Sequence, residues 1–460
     1  MSLLVLAAAA AIAVLPDQPP PTPPVPAPSG IVRAELTVST GDGLVLPATL
    51  HVPAGARPGL PGMVLVHGSG PARREHLRAE AEAFARAGIA TLTYDKRAVG
   101  YSFTQRSYSR LADDAIAAAA VLRARAEVDP AKVGIWGLSE GGWVAPLAAS
   151  RDPKTAFLVV VGANGLAPLR QQTWADASEL EYAGVRGSLV DAGSRTLYRL
   201  IAGAGVFPEA HYDPGPPLRE LTLPVLGIWG ALDRATPPVE SVTAYQEFLD
   251  QAGNRHYTLR TFDGAEHALR ASTTGYERGV EFAPGYVDLV GSWVGDVAAG
   301  RTPPSSVTGT GEQPRPTVEV PPLGWYESVW VQAGALAVML SGFAGLGVTA
   351  AWRRVRGRSG SAAPWSARVL AVAGFVAVPG CVLYLGSVLA SRGGAFDPGP
   401  MIAGRPLPWL ALQALAVVAT GAAAALGVRM WRRGGYHNAS LLAAGAVFVP
   451  WAVYWGLLAP

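Results

Sequence analysis

Ser139 stands in the run Gly137-Leu138-Ser139-Glu140-Gly141-Gly142, directly behind the apolar segment Val133-Gly134-Ile135-Trp136. In a G-x-S-x-G turn between a strand and a helix, glycine-sized flanks let the backbone bend sharply enough to hold a serine hydroxyl above the sheet. A hydroxyl so placed is a candidate nucleophile for acyl transfer, given a base for its proton and amides for the developing oxyanion. With 54 glycines in the chain the motif alone is weak evidence, since a silent turn serine reads the same. Its setting, a strand-like run before and a helix-like run after, is the one that the chemistry requires.

Three further segments stand where such a nucleophile needs partners. His67-Gly68-Ser69-Gly70 follows the apolar run 63–66, and its glycines let backbone amides face an oxyanion. The amides of Ser69 and Glu140 are the candidate oxyanion-hole donors, with His67 bracing the loop. Asp233 follows the apolar run 225–229, where a carboxylate at a strand's C-terminal end can orient a histidine; a helix cap is the alternative. His267, in Gly264-Ala265-Glu266-His267-Ala268, is the candidate base, the alternative being an ordinary surface histidine. Histidines 51, 76, 211, 256 and 437 sit in weaker positions and no cluster has metal-ligand spacing, so neither a metal nor a cofactor is expected.

The elements that must position these residues alternate from residue 31 to about 300. Alternating apolar residues over 32–38 and 44–52, around Gly41-Asp42-Gly43, predict an antiparallel edge hairpin. Short continuous apolar runs at 63–66, 89–94, 133–136, 157–161, 225–229 and 256–262 predict strands buried on both faces. Helical segments at 75–87, 112–126, 142–149, 239–251 and 286–297 separate most of them, so the strands should be parallel with helical crossovers. The weakly helical insertion at about 165–222 reads as a small cap, or else as a peripheral helical pair. Residues 301–324, rich in Pro, Thr, Ser and Gly, read as a flexible linker.

The remainder is apolar. Among the chain's 460 residues only 15% are charged, and the mean hydropathy of +0.24 is too high for a wholly soluble protein. Four uncharged runs, 329–352, 369–390, 406–428 and 439–458, are each long enough to cross a bilayer, with tryptophans at or near their ends. Arginines 353, 354, 356, 358 and 368 follow the first run and 429, 432 and 433 the third, which predicts cytoplasmic loops there and an extracytoplasmic catalytic domain. The stretch 3–15, with the proline-rich linker behind it, reads as a signal peptide or anchor occupying residues 1–30. A net charge of +3, with the basic excess in these loops, gives no reason to expect a nucleic-acid partner. The single cysteine, Cys381, lies in an apolar run as a packing residue.

Residues 31–300 resemble the α/β-hydrolases, in particular the esterase and prolyl-oligopeptidase-like branch. The likeness rests on His67-Gly68-Ser69-Gly70-Pro71, Tyr94-Asp95-Lys96-Arg97-Ala98-Val99-Gly100-Tyr101-Ser102, Gly137-Leu138-Ser139-Glu140-Gly141-Gly142, Asp233 and His267, with Ala98 where Gly is usual. The resemblance implies an α/β-hydrolase fold, a mostly parallel sheet with helices on both faces and a small helical cap; the apolar runs behind it predict an all-α transmembrane region of four helices, for which no family likeness is found. It also implies that the Tyr94 to Ser102 segment fixes a loop beside the site, with Arg97 an internal salt-bridge partner. The expected activity is hydrolysis of a carboxylic ester by the triad Ser139, Asp233 and His267, with small-molecule esters, lipids or peptides as substrates. A serine aminopeptidase or dipeptidyl peptidase is the second reading, with Glu179 and Glu181 as the faint hint of an amine-binding pair. A membrane-bound ligand-binding or partner-binding protein is the third. The runs hold Gln332, Ser341, Gln413 and Thr420 but no internal charge, which disfavours ion transport.

Overall fold

A computed structural model describes residues 30–358, 363–391, 396–433 and 438–460; the signal-like stretch 3–15 and the proline-rich run behind it lie outside these. The chain divides into two compact units, one made of residues 30–175 with Phe207–Glu319, the other of Asp176–Val206 with Val320–Pro460.

The first unit opens with a hairpin of β1 (Ile31–Ser39) and β2 (Val45–Pro53), whose register pairs Ile31 with Pro53 and Ser39 with Val45. Its turn closes where Thr40 donates to Asp42 at 2.5 Å and Gly43 takes a positive φ of 86°. β3 (Leu60–Val66), β4 (Ala90–Tyr94), β5 (Val128–Leu138), β6 (Leu158–Val161), β7 (Val225–Gly230) and β8 (Tyr257–Phe262) follow. The sheet order is β1-β2-β4-β3-β5-β6-β7-β8, with β2 antiparallel to β4 and every pair from β4 to β8 parallel. The central strands carry Val, Ile and Leu on both faces because helices cover both. One core joins α2 (Tyr108–Arg123), α3 (Gly141–Arg151) and α6 (Pro238–Gln251) to the sheet through Tyr108, Leu111, Val144, Tyr245 and Leu249. On the other face Phe84 of α1 (Arg78–Arg86) and Val290 and Trp293 of α7 (Tyr286–Ala298) pack with Trp136 and Phe157.

The stretch expected to be a flexible linker differs from that expectation up to Glu319. Ser306–Thr308 add a ninth strand, β9, parallel to β8. Beyond it Glu312 N donates to Ala231 O at 2.7 Å, Thr317 N to the Glu240 carboxylate at 2.9 Å, and Trp174 Nε1 to Arg315 O at 2.8 Å. Composition hid this because the ordering comes from backbone groups and distant partners, not from apolar side chains.

In the second unit, α8 (Val329–Val355), α9 (Trp365–Ala390) and α10 (Leu407–Arg433) are long and apolar enough to cross a membrane; α11 (Ala439–Tyr454) has 16 residues, about 24 Å at 1.5 Å per residue. The fourth run is thus shorter than the expected 439–458. Gly456, at φ 75°, ends it with bonds from its amide to Val453 O (3.0 Å) and from Leu457 N to Ala452 O (2.8 Å), the paired closure of a Schellman motif. Small residues let the helices approach closely: a Cβ on Gly342 would lie 2.5 Å from Ala444 Cβ, and one on Gly374 2.5 Å from the Phe343 ring. Val338, Val348, Phe375, Leu383, Val417 and Trp431 are exposed on these helices.

The middle of the insertion, including the end of α4 (Pro168–Tyr182) and α5 (Leu197–Gly203), belongs to this same unit. Ser188 N donates to Pro460 O at 3.0 Å, Gln413 Nε2 donates to Ser188 Oγ (3.2 Å) and Ala459 O (2.7 Å), and Arg199 grips Glu327 with two bonds of 2.7 and 2.8 Å. Gln332 accepts from Trp455 Nε1 at 3.2 Å, while Ser341 and Thr420 donate back to carbonyls of their own helices. The polar groups within the apolar runs therefore have structural partners.

Candidate active site

The nucleophile turn lies where β5 meets α3. Ser139 has φ 57°, a left-handed conformation that costs an L-residue on the order of 1–3 kcal/mol and is kept only where its surroundings dictate it. They do so here: Ser139 N donates to Val161 O at 3.0 Å, and Gly142 N to Ser139 O at 2.7 Å. A Cβ on Gly137 would lie 2.1 Å from Gly141 O, and one on Gly141 2.6 Å from Val66 O, so both flanks must be glycine. Gly137→Ala is accordingly predicted to destabilise the fold by about 3 kcal/mol. A melting curve within a degree of wild type would contradict that.

His67 closes the upstream turn. Its Nε2, 2.9 Å from Tyr94 O, must carry the proton, and burial with nearby Lys96 pushes the imidazole down to about 4, so it stays neutral as a brace. Behind it Gly68 abuts the nucleophile: a Cβ there would sit 3.3 Å from Ser139 Cβ and 3.9 Å from its Oγ. Gly70 N is taken by the Tyr101 hydroxyl at 2.9 Å. Among the described residues, the amides of Ser69 and Glu140 have no acceptor, which leaves them free for an incoming oxygen.

Asp233 and His267 are brought together. The Asp233 carboxylate is fully buried; Oδ1 accepts from Ala235 N (2.9 Å) and Thr236 N (2.8 Å), and Oδ2 from Thr236 Oγ1 (2.6 Å) and His267 Nδ1 (2.8 Å). The same carboxylate thus holds its own turn and the imidazole; it does not cap α6, whose N-cap is Pro237. His267 is pinned from below by Gly162, whose positive φ of 53° leaves no room for a Cβ, which would lie 2.8 Å from Nδ1. The buried Glu266 accepts from Ala268 N at 2.9 Å and Arg270 N at 3.1 Å, which ties down the loop. Burial opposes charge on His267, but the Asp233 carboxylate and its hydrogen bond prevail, so the imidazole titrates above its ordinary 6.5. Among the described residues no hydrogen bond joins Ser139 Oγ to this ring, and catalytic contacts of this kind often tighten only when substrate is bound.

Two side chains that sequence reasoning left aside flank the nucleophile. Lys96 lies 2.5 Å and Arg106 2.9 Å from the buried Glu140 carboxylate. Burial pushes Glu140 up, but these two cations overcome it and hold the carboxyl below its usual range. Arg97 is an internal partner, as the resemblance implied, bound through two bonds to Asp114 (2.7 and 2.6 Å) and to Asp42 (2.8 Å).

Residues 76–287, a segment that holds Ser139, Asp233 and His267, match the model of the prolyl oligopeptidase family. A polyketide transferase, claH, of Penicillium crustosum is 39% identical over 83 residues, which cover 17% of this chain and 27% of that protein. The quorum-quenching protein AidA of Acinetobacter baumannii is 38% identical over 104 residues, covering 22% of this chain and 34% of that one. The chain thus spans about a third or less of the length of these two relatives. An esterase structure from Pyrobaculum calidifontis shares 17% identity over 65% of this chain and 90% of its own, with a TM-score of 0.42. Sheet order and the strand–turn–helix at Ser139 give this chain the α/β-hydrolase fold.

Proposed function

We propose that the protein is a membrane-anchored serine hydrolase that cleaves carboxylic esters through an acyl-enzyme. Ser139 Oγ attacks the carbonyl, His267 Nε2 takes its proton and returns it to the leaving alcohol, and Asp233 keeps the Nδ1 proton and the ring's orientation. The oxyanion is received by the Ser69 and Glu140 amides. Water, deprotonated by His267, then releases the acid. The observation that carries this reading is the 2.8 Å bond between His267 Nδ1 and the buried Asp233, because a binding protein has no need to raise the basicity of a histidine beside a strained serine.

The C-terminal helices serve as the anchor. Arginines after α8 and near the end of α10 put those loops in the cytoplasm and the hydrolase unit outside. Ser188 and Arg199 of the insertion are bonded to Gln413, Pro460 and Glu327, which ties this part of the insertion to the anchor helices. A peptidase acting on the N-terminal end of peptides is the second reading, favoured by the family model that matches residues 76–287.

Membranes carrying the full chain, assayed with a panel of p-nitrophenyl esters and aminoacyl p-nitroanilides, distinguish the readings. Ester turnover at least about 100-fold above the anilides is expected, in line with the binding and leaving-group differences a single site can impose. Turnover of anilides alone would favour the peptidase, and turnover of neither would favour a binding protein.

A further inference from the structure

Beneath the nucleophile turn and the loop facing it lies a set of charges that the triad does not use. Lys96 Nζ donates to Glu140 Oε1 at 2.5 Å, to the Gly68 carbonyl at 2.6 Å and to the Tyr101 hydroxyl at 2.9 Å. That hydroxyl accepts from Gly70 N at 2.9 Å and donates to Glu140 Oε1 at 2.8 Å. Arg106 Nη1 lies 2.9 Å from the other oxygen, Oε2, as an ion-pair contact without the alignment of a hydrogen bond. The side chains of Lys96, Glu140 and Arg106 are only 4%, 1% and 10% exposed.

Two cations and one carboxylate are costly to bury, and apolar residues of the same volume would often serve stability as well or better. The arrangement is better explained by what it connects. Glu140 contributes one amide to the oxyanion site, and Gly68-Ser69-Gly70 contributes the other from a separate strand end. The two come from separate turns, with Gly70 at φ 94°, so the spacing of the two amides depends on what ties the turns to each other. Oxyanion donors are effective when held in place before the charge develops, within about 0.5 Å. Lys96 reaches both walls at once, Tyr101 repeats the link, and Arg106 holds the second carboxylate oxygen from outside.

We infer that Lys96, Tyr101 and Arg106 are positioning residues that act through the Glu140 carboxylate to lock the Ser69 and Glu140 amides into one oxyanion hole, with a net positive charge beneath it. This rests on the serine hydrolase reading above. The network contributes to the transition state and not to substrate binding, because it touches the donors and lies under the surface.

The test uses the full chain in membranes, with Lys96→Met and the milder Arg106→Gln beside wild type and Ser139→Ala. Four quantities are read: kcat and KM on a p-nitrophenyl ester, the rate constant for labelling by a fluorophosphonate probe, and the inhibition constant of an alkyl trifluoromethyl ketone, which forms an oxyanion on the serine. Lys96→Met is expected to lower kcat and labelling about 100-fold and Arg106→Gln about tenfold, with KM within about threefold and ketone affinity falling in step with kcat. A purely structural role would not split kcat from KM or track the ketone. Folded Lys96→Met that keeps kcat, the labelling rate constant and the ketone's inhibition constant within about threefold of wild type overturns the inference. If that variant does not fold, an unchanged Arg106→Gln does so. Wild type that resists labelling removes the serine hydrolase reading and this inference with it, whereas labelled wild type with equally reactive variants removes the inference alone.

Discussion

Ser139→Ala is expected to lower turnover by about four to six orders of magnitude while the protein remains folded in the membrane. At 1.36 kcal/mol per factor of ten this corresponds to about 5–8 kcal/mol of lost transition-state stabilisation. His267→Ala should cost about the same, since nucleophile and base act as a unit. The effect on stability separates function from packing. Alanine at position 139 inherits the positive φ of 57°, so the strain stays and the melting temperature should hardly move. Ser139→Gly should be equally inactive yet more stable by about 1 kcal/mol, because glycine adopts that conformation without strain. Turnover and melting temperature in the two variants check both halves. Near-normal activity in Ser139→Ala would remove the nucleophile assignment.

Asp233→Asn has the next largest expected effect, about 10⁴-fold in kcat, since an amide facing Nδ1 can donate and so impose the wrong tautomer on the ring. Its pH signature is the sharper test. Catalysis needs neutral His267, so kcat/KM in wild type should fall as pH drops through a pKa above 6.5, the direction in which Asp233 moves the imidazole. Without the carboxylate's charge, burial dominates, and the acid limb should move below 6.5. His67 and His51, both pushed down to about 4, do not titrate in that window. An acid limb that stays put in Asp233→Asn would show that another group controls it.

The proposed triad could be picked out because its signals are local. Gly137, Ser139 and Gly141 are spaced for a turn that no other residue types could make so tightly, and Asp233 and His267 each follow an apolar run that the fold turns into a strand. Boundaries were less so. The helix expected from residue 112 begins at Tyr108, because Ser107 caps it by accepting from Arg110 N at 3.4 Å, and β5 extends back to Val128 through residues without an apolar run. What escaped sequence reasoning depends on residues far apart in the chain. Lys96 meets Glu140 across 44 positions and Ser188 meets Gln413 across 225, and neither pairing leaves a periodicity to read. One signal for the first pair was present: a glutamate next to Ser139, on a helix start that packs into the core, needs a cation, and Lys96 lies within, and Arg106 just beyond, the Tyr94 to Ser102 segment expected to fix a loop beside the site. The ordered stretch at 306–319 left no comparable trace, because its partners are backbone groups of β8 and the Glu240 carboxylate.

The central claim, an activated serine at the end of β5, is tested most directly by treating membranes that contain the wild-type chain with a fluorophosphonate probe and mapping the adduct by peptide mass spectrometry. The account predicts one modified residue, Ser139, with modification suppressed in Asp233→Asn and absent in Ser139→Ala. An adduct on another residue, or no adduct on folded wild-type protein, would contradict it.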